Sequence, residues 1–248
     1  MDGLYEEKYH GLEDSNWWFK SRREIIIELI KSLALPTGAK ILEVGCSGGP
    51  LLRDLKKQGF DDVVGIDVSQ SAVDICLASG FGKVQLMTGS KTSFPDQQFD
   101  LIVASDVLEH IEDDRLALRE WQRLLAPDGY LIIFVPTFNF LWSSHDKVNC
   151  HYRRYSGNLL RRQAIEAGLS PIRHSYWDTA LFVPVALWRL MQRFLLRPKR
   201  SEGQLYSLPV SVNNLLLKLL RSENRLLKYI DLPFGISFFL VAKKHSIK

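Results

Sequence analysis

The chain has 248 residues, of which 46% are hydrophobic and 24% are charged. This composition is that of a globular protein, with one large α/β domain and an insertion or at most two small domains. The three cysteines fit neither a disulfide framework nor a metal pattern, so we expect a reducing, cytoplasmic location. The acidic first residues do not resemble a secretory signal.

The net charge of +4 is unevenly distributed along the chain. Residues 1–152 hold 15 Lys and Arg against 23 Asp and Glu, whereas residues 153–248 hold 17 against 5. The C-terminal part is therefore predicted to build a cationic surface. Its partner would be anionic lipid, a phosphorylated substrate or nucleic acid.

The first predicted element is a helical, partly amphipathic segment over roughly residues 4–35. Apolar residues such as Ile26, Leu29 and Ile30 recur in it at helical spacing. Residues 17–19 read Trp-Trp-Phe, and three adjacent aromatic side chains cannot all face one core.

The next stretch, residues 41–49, reads Ile-Leu-Glu-Val-Gly-Cys-Ser-Gly-Gly and predicts a buried strand, a glycine-rich turn and the start of a helix. Glycines let the backbone approach a ligand, and the first turn of a helix offers unpaired N–H groups. The nucleotide fingerprint G-x-G-x-x-G is absent, which disfavours an NAD-dependent oxidoreductase. The carboxylate of Glu43 would repel a pyrophosphate and attract an ammonium group. The turn therefore suits a nucleoside whose tail carries an amine and no phosphate.

A second acid ends the following predicted strand. Asp67 lies 24 positions after Glu43. In a doubly wound sheet, an acid at this place can accept hydrogen bonds from both ribose hydroxyls. The alternative is that both acids cap helices and that Gly45 is an ordinary turn glycine.

Predicted strands and helices alternate along the rest of the chain. The strands are 40–44, 62–66, 83–87, 99–104, 130–135, 172–177 and 235–242. The helices are 49–58, 70–79, 114–125 and 157–167. This alternation predicts a mostly parallel sheet that helices cover on both faces.

These features resemble the class I S-adenosylmethionine-dependent methyltransferases of the type 11/12-like family. Three later stretches share the resemblance: residues 94–104, 106–111 and 125–131. The resemblance covers roughly residues 38–178 and the final strand. It implies a Rossmann-like seven-stranded sheet in the order 3-2-1-4-5-7-6.

The resemblance also implies a division of the chain. Residues 1–37 would form an N-terminal helical cap, which in this family covers the cofactor pocket. The alternative is a helix that only anchors on the flank of the domain. Residues 38–178 and 236–248 would form the core, and residues 179–235 a helical insertion before the last strand.

S-adenosylmethionine is the cofactor that the resemblance implies. The residues assigned to it are Glu43, Gly45, Cys46, Ser47, Gly49, Asp67, Val68, Ser90, Ser105, Asp106, Trp18 and Arg22. Two of them depart from the family pattern, because Ser47 replaces the middle glycine and Ser90 replaces an acid near the adenine.

Candidate catalytic residues follow the fourth and fifth predicted strands, where open α/β sheets bind ligands. Methylation of a hydroxyl needs a base near neutral pH, and histidine suits that task. The candidates are His145, His151 and His110, with Asp146 orienting a histidine. The candidates for acceptor binding are Arg153, Arg154, Tyr155 and Trp142. The alternative is a loop held by Arg–acid pairs and a tyrosine hydrogen bond, with a packing histidine at 110.

The 57 residues from 179 to 235 are too many for a structureless loop. Residues 180–188 are apolar throughout, but a bilayer span needs about 20 such residues. Basic residues then recur at helical spacing in two stretches: Arg189, Arg193 and Arg197, and then Lys218, Arg221, Arg225 and Lys228. Two basic amphipathic helices suit a membrane interface. The alternative is a pair of helices that pack on the domain with solvated charges.

The sequence therefore predicts an S-adenosylmethionine-dependent methyltransferase that O-methylates a lipid-borne or bulky apolar acceptor, peripheral at the inner membrane surface. The looser resemblance of residues 17–19 and 151–155 to methyltransferases acting near lipid-linked sugars or polyprenyl compounds favours this acceptor. One alternative is a methyltransferase of a soluble small molecule, with the insertion as a lid. Another is a non-catalytic module that docks on a membrane or a partner. No metal site and no nucleic-acid module is predicted, and the oligomeric state stays open.

Overall fold

The computed structural model describes residues 3–36, 38–195 and 208–245. Its centre is a sheet of seven strands: β1 (Ile41–Val44), β2 (Val63–Asp67), β3 (Val84–Leu86), β4 (Phe99–Ser105), β5 (Leu125–Pro136), β6 (Leu169–Trp177) and β7 (Ser237–Lys244). The strand order is 3-2-1-4-5-7-6, which confirms the predicted Rossmann-like fold. Strands β1 to β5 pair in parallel, whereas β7 pairs antiparallel with both β5 and β6.

Nine α-helices accompany the strands within the described ranges: α1 (Gly3–Glu13), α2 (Trp17–Ser32), α3 (Pro50–Lys57), α4 (Gln70–Ala78), α5 (Asp114–Leu124), α6 (Ser144–Val148), α7 (Gly157–Glu166), α8 (Phe182–Leu195) and α9 (Val210–Leu226). Short 3₁₀ turns cover Leu108–His110 and Asn139–Leu141. The predicted N-terminal segment is two helices rather than one, because Asn16 caps α2 by accepting a hydrogen bond from the Trp18 N–H.

Alternating strand residues fill a core on each face of the sheet. Leu101 and Val103 of β4 join one cluster with α2, α3 and α9, while Ile102 and Ala104 join the other with α5 and α7. Strands buried on both faces are apolar throughout, which explains the uninterrupted Val, Ile and Leu runs of the sequence.

The helix α9 packs against α2, and polar contacts fix the pairing. The Asn224 side chain donates to the Ser21 carbonyl and accepts from the Trp177 indole. Arg221 forms an ion pair with Glu24, and Lys228 with Glu28. The predicted cationic face of residues 218–228 therefore has two members paired with α2, while Lys218 and Arg225 stay exposed.

The helix α8 has an inverted arrangement of side chains. Val183, Leu187, Trp188 and Met191 are exposed, with 63% of the Leu187 surface accessible, whereas Arg189 is buried. The prediction that Arg189 faces a membrane is therefore wrong, because this side chain points toward the domain and donates to the Leu141 carbonyl. The side chain of Arg193 and all of Arg197 lie outside the part that the structure describes.

Within the described ranges, no helix is long and apolar enough to cross a membrane. The described helices of the insertion are α8 and α9, and residues 196–207 lie outside the described part. The predicted bounds of the cap, the core and the insertion stay predictions.

Candidate cofactor and acceptor site

The parallel pairing of β1, β2, β4 and β5 brings their carboxyl ends to one edge of the sheet. The turn after β1 has a positive φ at Gly45 (71°), Ser47 (47°) and Gly49 (77°). A Cβ on Gly45 would lie 2.5 Å from Cγ2 of Val107. Glycine is therefore required at 45 both for the backbone angle and for the close approach.

The carboxylate of Asp67 is aligned by two backbone donors. The Ser47 N–H and the Ser69 N–H each donate to it, both at 2.9 Å. Val68, beside it, is largely exposed. Asp67 thus ties the end of β2 to the glycine turn and has acceptor capacity left for a ligand.

Glu43 is buried beneath this turn, and its Oε2 has no hydrogen-bond partner among the described residues. Burial, with Glu13 and Asp67 nearby, raises the pKa of Glu43 well above its usual range. An unpartnered buried carboxyl group is costly. A cationic group of a ligand would relieve that cost, so the site fits a nucleoside with an amine-bearing tail.

The first helix contacts the glycine turn, and its role as a cap over the cofactor stays a prediction. His10 Nδ1 lies 3.1 Å from Ser47 Oγ and 3.1 Å from Glu13 Oε2. Glu13 accepts from the Gly48 N–H at 3.3 Å, and Ser69 donates its hydroxyl to Glu6. Sequence analysis missed these α1 residues, because isolated acids and a histidine on a helix carry no motif.

Arg22 links the cap to the carboxyl end of β4. Its guanidinium lies over the rings of Trp18, Phe134 and Trp177 at 4.2 to 4.7 Å. It lies 3.5 Å from Asp106, which also accepts from the Ser105 hydroxyl at 2.8 Å. Four predicted cofactor residues, Trp18, Arg22, Ser105 and Asp106, therefore lie together.

The remaining predicted cofactor residues are placed as follows. Cys46 is buried beside the turn, and Ser90 is half-buried after Gly89, whose carbonyl accepts from the Trp121 indole at 2.8 Å. A Cβ on Gly49 would lie 2.9 Å from Cys76 Sγ, so this glycine too has no room for a side chain.

On the acceptor side, the fully buried Asp146 is the central group. It lies 3.0 Å from His151 Nδ1 and accepts from Arg154 Nε at 2.7 Å and Nη2 at 3.1 Å. The Ser143 N–H also donates to it. These hydrogen bonds and the Arg154 charge outweigh burial and hold the pKa of Asp146 far below its usual range.

The three candidate histidines lie together. The rings of His110 and His151 meet edge to face with centroids 4.6 Å apart, and His145 lies 6.3 Å from His151. Burial lowers the pKa of His110 and of His145 to about 4, so both are neutral near pH 7.

Glu109, which sequence analysis did not single out, joins this group. One potential ligand atom from each of Glu109, His110 and His151 lies within 4.8 Å of the others, and this donor set suits a divalent cation. Glu109 and His110 are adjacent in sequence, but His151 lies 41 positions after His110. The spacing of these residues therefore does not predict a metal site.

The predicted acceptor-binding residues have partners within the protein. Arg154 is buried and also donates to the Thr137 carbonyl, while Arg153 pairs with Asp114 at 2.9 Å. The buried Tyr155 hydroxyl donates to Asp114 at 2.9 Å. Trp142 is half-buried in the loop. These contacts match the alternative of a loop held by Arg–acid pairs and a tyrosine hydrogen bond.

An aromatic surface lies beside the acceptor loop. Phe138 stacks on Tyr176 with centroids 5.4 Å apart, and Phe182 of α8 contacts Phe138, Phe140 and Phe234. Phe140 and Phe234 are exposed. This surface connects the loop after β5 to the start of α8 and suits an apolar ligand.

Comparisons with known proteins agree with this geometry. Residues 42–133 match the family model described as a methyltransferase domain. This stretch runs from β1 through β5 and includes the glycine turn, Asp67 and Asp106. Residues 42–133 form a class I S-adenosylmethionine-dependent methyltransferase domain.

Among curated relatives of this methyltransferase domain, a ubiquinone biosynthesis O-methyltransferase of Bartonella bacilliformis is 30% identical over 118 residues, 46% of each chain. One from Rickettsia bellii is 31% identical over 144 residues, 51% of this chain and 59% of the relative. Phosphoethanolamine N-methyltransferase 3 of Arabidopsis thaliana is 32% identical over 43% of this chain and 23% of the relative. The chain thus matches less than two thirds of the length of each of these relatives.

Solved structures share the fold of the methyltransferase domain. A chain in the complex of the Haloferax volcanii Trm112 methyltransferase activator matches with a TM-score of 0.65 and 17% identity, over 99% of this chain and 96% of that one. Haemonchus contortus phosphoethanolamine N-methyltransferase 2, in complex with S-adenosyl-L-methionine, matches with a TM-score of 0.60 and 16% identity, over 89% of this chain and 52% of that one.

Removing the buried histidine at 145 is expected to change how stability depends on pH. Its folded pKa of about 4 lies below the unfolded value of about 6.5, so the unfolded chain binds more protons between these values. The free energy of unfolding of the wild type therefore falls by up to about 3 kcal/mol through His145 as the pH falls across this window. His145→Asn should gain stability relative to the wild type from pH 7 to pH 4, as measured by urea unfolding.

The pKa of Asp178 is raised by burial to about 7, so this group changes folding stability with pH in the opposite direction. The stability of His145→Asn is therefore compared with that of the wild type at each pH. His245→Asn at an exposed position is the matched control and should leave the pH dependence unchanged. An unchanged difference between His145→Asn and the wild type at pH 7 and pH 4 would contradict the assignment.

Proposed function

We propose that the chain is a methyltransferase that transfers the methyl group of S-adenosylmethionine to a hydroxyl of a lipid-borne or bulky apolar acceptor at a membrane surface. The observation that carries the cofactor assignment is the pair of carboxyl groups at the glycine turn. Asp67 is aligned by two backbone N–H groups, and Oε2 of the buried Glu43 has no hydrogen-bond partner among the described residues.

Each carboxyl group has a distinct task in this proposal. Asp67 accepts from the ribose hydroxyls, and Glu43 stabilises the ammonium group of the methionine part. Ser105 and Asp106 border the methionine part, and Arg22 holds Asp106 in place. The bound cofactor supplies the electrophilic methyl group, and the protein holds that group and the nucleophile in line.

The proposed base is His151. Asp146 lies at its Nδ1, which leaves Nε2 to take the proton of the acceptor hydroxyl, as in other oriented histidines. His110 and His145 are kept neutral by burial and shape the surroundings of His151. A histidine base favours O-methylation, as in the names of the ubiquinone-biosynthesis relatives, over the N-methylation named for the phosphoethanolamine relative.

The acceptor class follows from the surfaces beside the loop. The aromatic surface around Phe182 continues into α8, whose exposed residues are apolar. In our proposal this face of α8 enters the membrane interface, and the exposed Lys218 and Arg225 add about 1 kcal/mol each near anionic lipid. The ion pairs of Arg221 and Lys228 with α2 reduce the attraction expected from sequence alone.

Replacing Asp67 tests the cofactor site. Asp67→Ala should weaken binding of S-adenosylhomocysteine by more than about tenfold, because hydrogen bonds to a charged group are lost. Titration calorimetry measures this. Asp74→Ala, an exposed acid on α4, is the control and should bind as the wild type does. Wild-type protein that does not bind S-adenosylhomocysteine would refute the proposed function.

Replacing His151 tests the base. His151→Gln should lower transfer of labelled methyl from S-adenosylmethionine into a membrane extract by about 10² or more, while S-adenosylhomocysteine binding is unchanged. His145→Gln is the matched control and should retain most of the transfer. Equal losses in the two variants would rule out a specific role for His151.

Membrane docking is tested by co-sedimentation with anionic vesicles. Binding should fall with salt, and a Leu187→Gln/Trp188→Gln variant should bind much less, because burial of each apolar side chain contributes about 1.5–3 kcal/mol. Leu116→Gln, at an exposed apolar position on α5, should bind as the wild type does. If the wild type stays in the supernatant at low salt, α8 is a lid over a soluble acceptor.

A further inference from the structure

Three arginine side chains of the described residues are buried: Arg22, Arg154 and Arg189. A guanidinium group stays charged in proteins, so burying it is costly unless a counter-charge compensates. Arg22 lies 3.5 Å from Asp106 and is surrounded by three aromatic rings. Arg154 lies 2.7 Å from Asp146. Each of these two guanidinium groups thus has a carboxylate at close range.

Arg189 differs from both because it has no carboxylate at close range among the described residues. A buried donor without a hydrogen-bond partner does not distinguish it from Arg22, whose Nε and Nη1 are also unpartnered there. Within the described ranges, no carboxylate oxygen lies within 4.0 Å of its guanidinium group. Its Nη1 donates to the carbonyl of Leu141 at 2.5 Å, and its Nε is buried without a hydrogen-bond partner. The side chain is only 8% exposed. A buried donor without an acceptor costs about as much as a lost hydrogen bond, so an acceptor at this edge of the guanidinium group would be stabilising.

The charges around Arg189 do not compensate for its burial. Asp146 is already engaged by Arg154 and His151. Asp178 is a weak counter-charge, because burial and Glu223 raise its pKa to about 7. Desolvation, with a contribution from Arg154, lowers the pKa of Arg189 to about 10. The surroundings of this side chain therefore favour an additional negative charge.

The position of Arg189 relates it to the acceptor. Its partner Leu141 lies in the loop that leads to His145 and Asp146, and Arg189 acts electrostatically on His145. The next residue toward the N-terminus, Trp188, is on the exposed apolar face of α8. Arg189 thus lies between the surface that we propose to enter the interface and the loop that carries the proposed base.

We propose that Arg189 binds an anionic group of the acceptor, a phosphate or carboxylate oxygen, at the junction of α8 and the loop of residues 138–149. This inference rests on the proposed function and names the acceptor more closely as an anionic amphiphile. The planar guanidinium group suits such oxyanions, and its Nε edge is the part left for one. Arg153 and Arg154, which the sequence analysis assigned to this task, have their own partners in Asp114 and Asp146.

The test uses two probes, inorganic phosphate and dihexanoyl phosphatidic acid below its micellar concentration, each against potassium chloride at equal ionic strength. A ligand that binds the folded state raises the melting temperature in proportion to ln(1 + [L]/Kd). We expect at least one probe to raise the melting temperature of the wild type. In Arg189→Met the affinity should fall by more than about tenfold, because charge-assisted hydrogen bonds are lost.

Two further variants separate binding from general effects. Lys31→Met removes an exposed charge from α2 and should keep the full response, which also corrects for the general stabilisation by phosphate. Arg189→Lys keeps the positive charge but loses the planar guanidinium group, so it should retain part of the rise in melting temperature. This variant keeps the test valid if Arg189→Met folds poorly. A response to phosphatidic acid alone identifies a lipid headgroup as the source of the anion, and a response to phosphate alone identifies a soluble phosphorylated acceptor.

The inference is overturned if neither probe raises the melting temperature of the wild type, or if Arg189→Met and Lys31→Met respond equally. Arg189 would then only hold the Leu141 carbonyl. Titration of the same variants with S-adenosylhomocysteine keeps the two proposals apart. Loss of the anion response with cofactor binding intact refutes only the Arg189 proposal, whereas a wild type that binds no S-adenosylhomocysteine refutes the proposed function.

Discussion

The guanidinium group of Arg22 joins α2 to four strands or strand ends through one buried charge. It belongs to α2, lies on aromatic rings from β5 and β6, donates to the Ser237 hydroxyl at the start of β7 and pairs with Asp106 after β4. Because a buried charge tolerates little displacement from its partners, this group fixes the cap relative to the carboxyl edge of the sheet. Both halves of the proposed site, the glycine turn beneath α1 and the acceptor loop beside α8, are positioned by that relation.

Much of the fold was predictable because its signals are local. A strand buried on both faces is mostly apolar, and a turn that approaches a ligand needs glycine, so β1, β2, β4 and the glycine turn could be predicted from local sequence. The antiparallel β7 came from the family resemblance, since no local pattern distinguishes an antiparallel edge strand from a parallel one. The break at Asn16 was missed because both flanking segments are helical and only the cap separates them.

The candidate site was predictable in part, for a related reason. Residues that share a sequence pattern could be assigned together. Glu43 and Asp67 are one such pair, and His145 and Asp146 are another. Contacts between distant segments could not, because residue types alone do not show which surfaces meet. Glu109 with His151 and Glu13 with Gly48 are such pairs. For the same reason, the sequence did not show that Arg153 and Arg154 have partners within the protein.

In the insertion, the helical pattern of α8 led to a wrong assignment of the face that packs against the domain. Periodicity identifies an apolar stripe and a basic stripe on α8, but it does not state which stripe packs against the domain. The usual expectation buries the apolar stripe. Here Leu187 and Trp188 are exposed and Arg189 is buried. Such an inversion costs free energy twice, through exposed apolar surface and through a desolvated charge. Both costs are offset if an apolar phase covers the outer face while an anion reaches Arg189, so one amphiphilic ligand at an interface would account for the exposed Leu187 and Trp188 and for the buried Arg189.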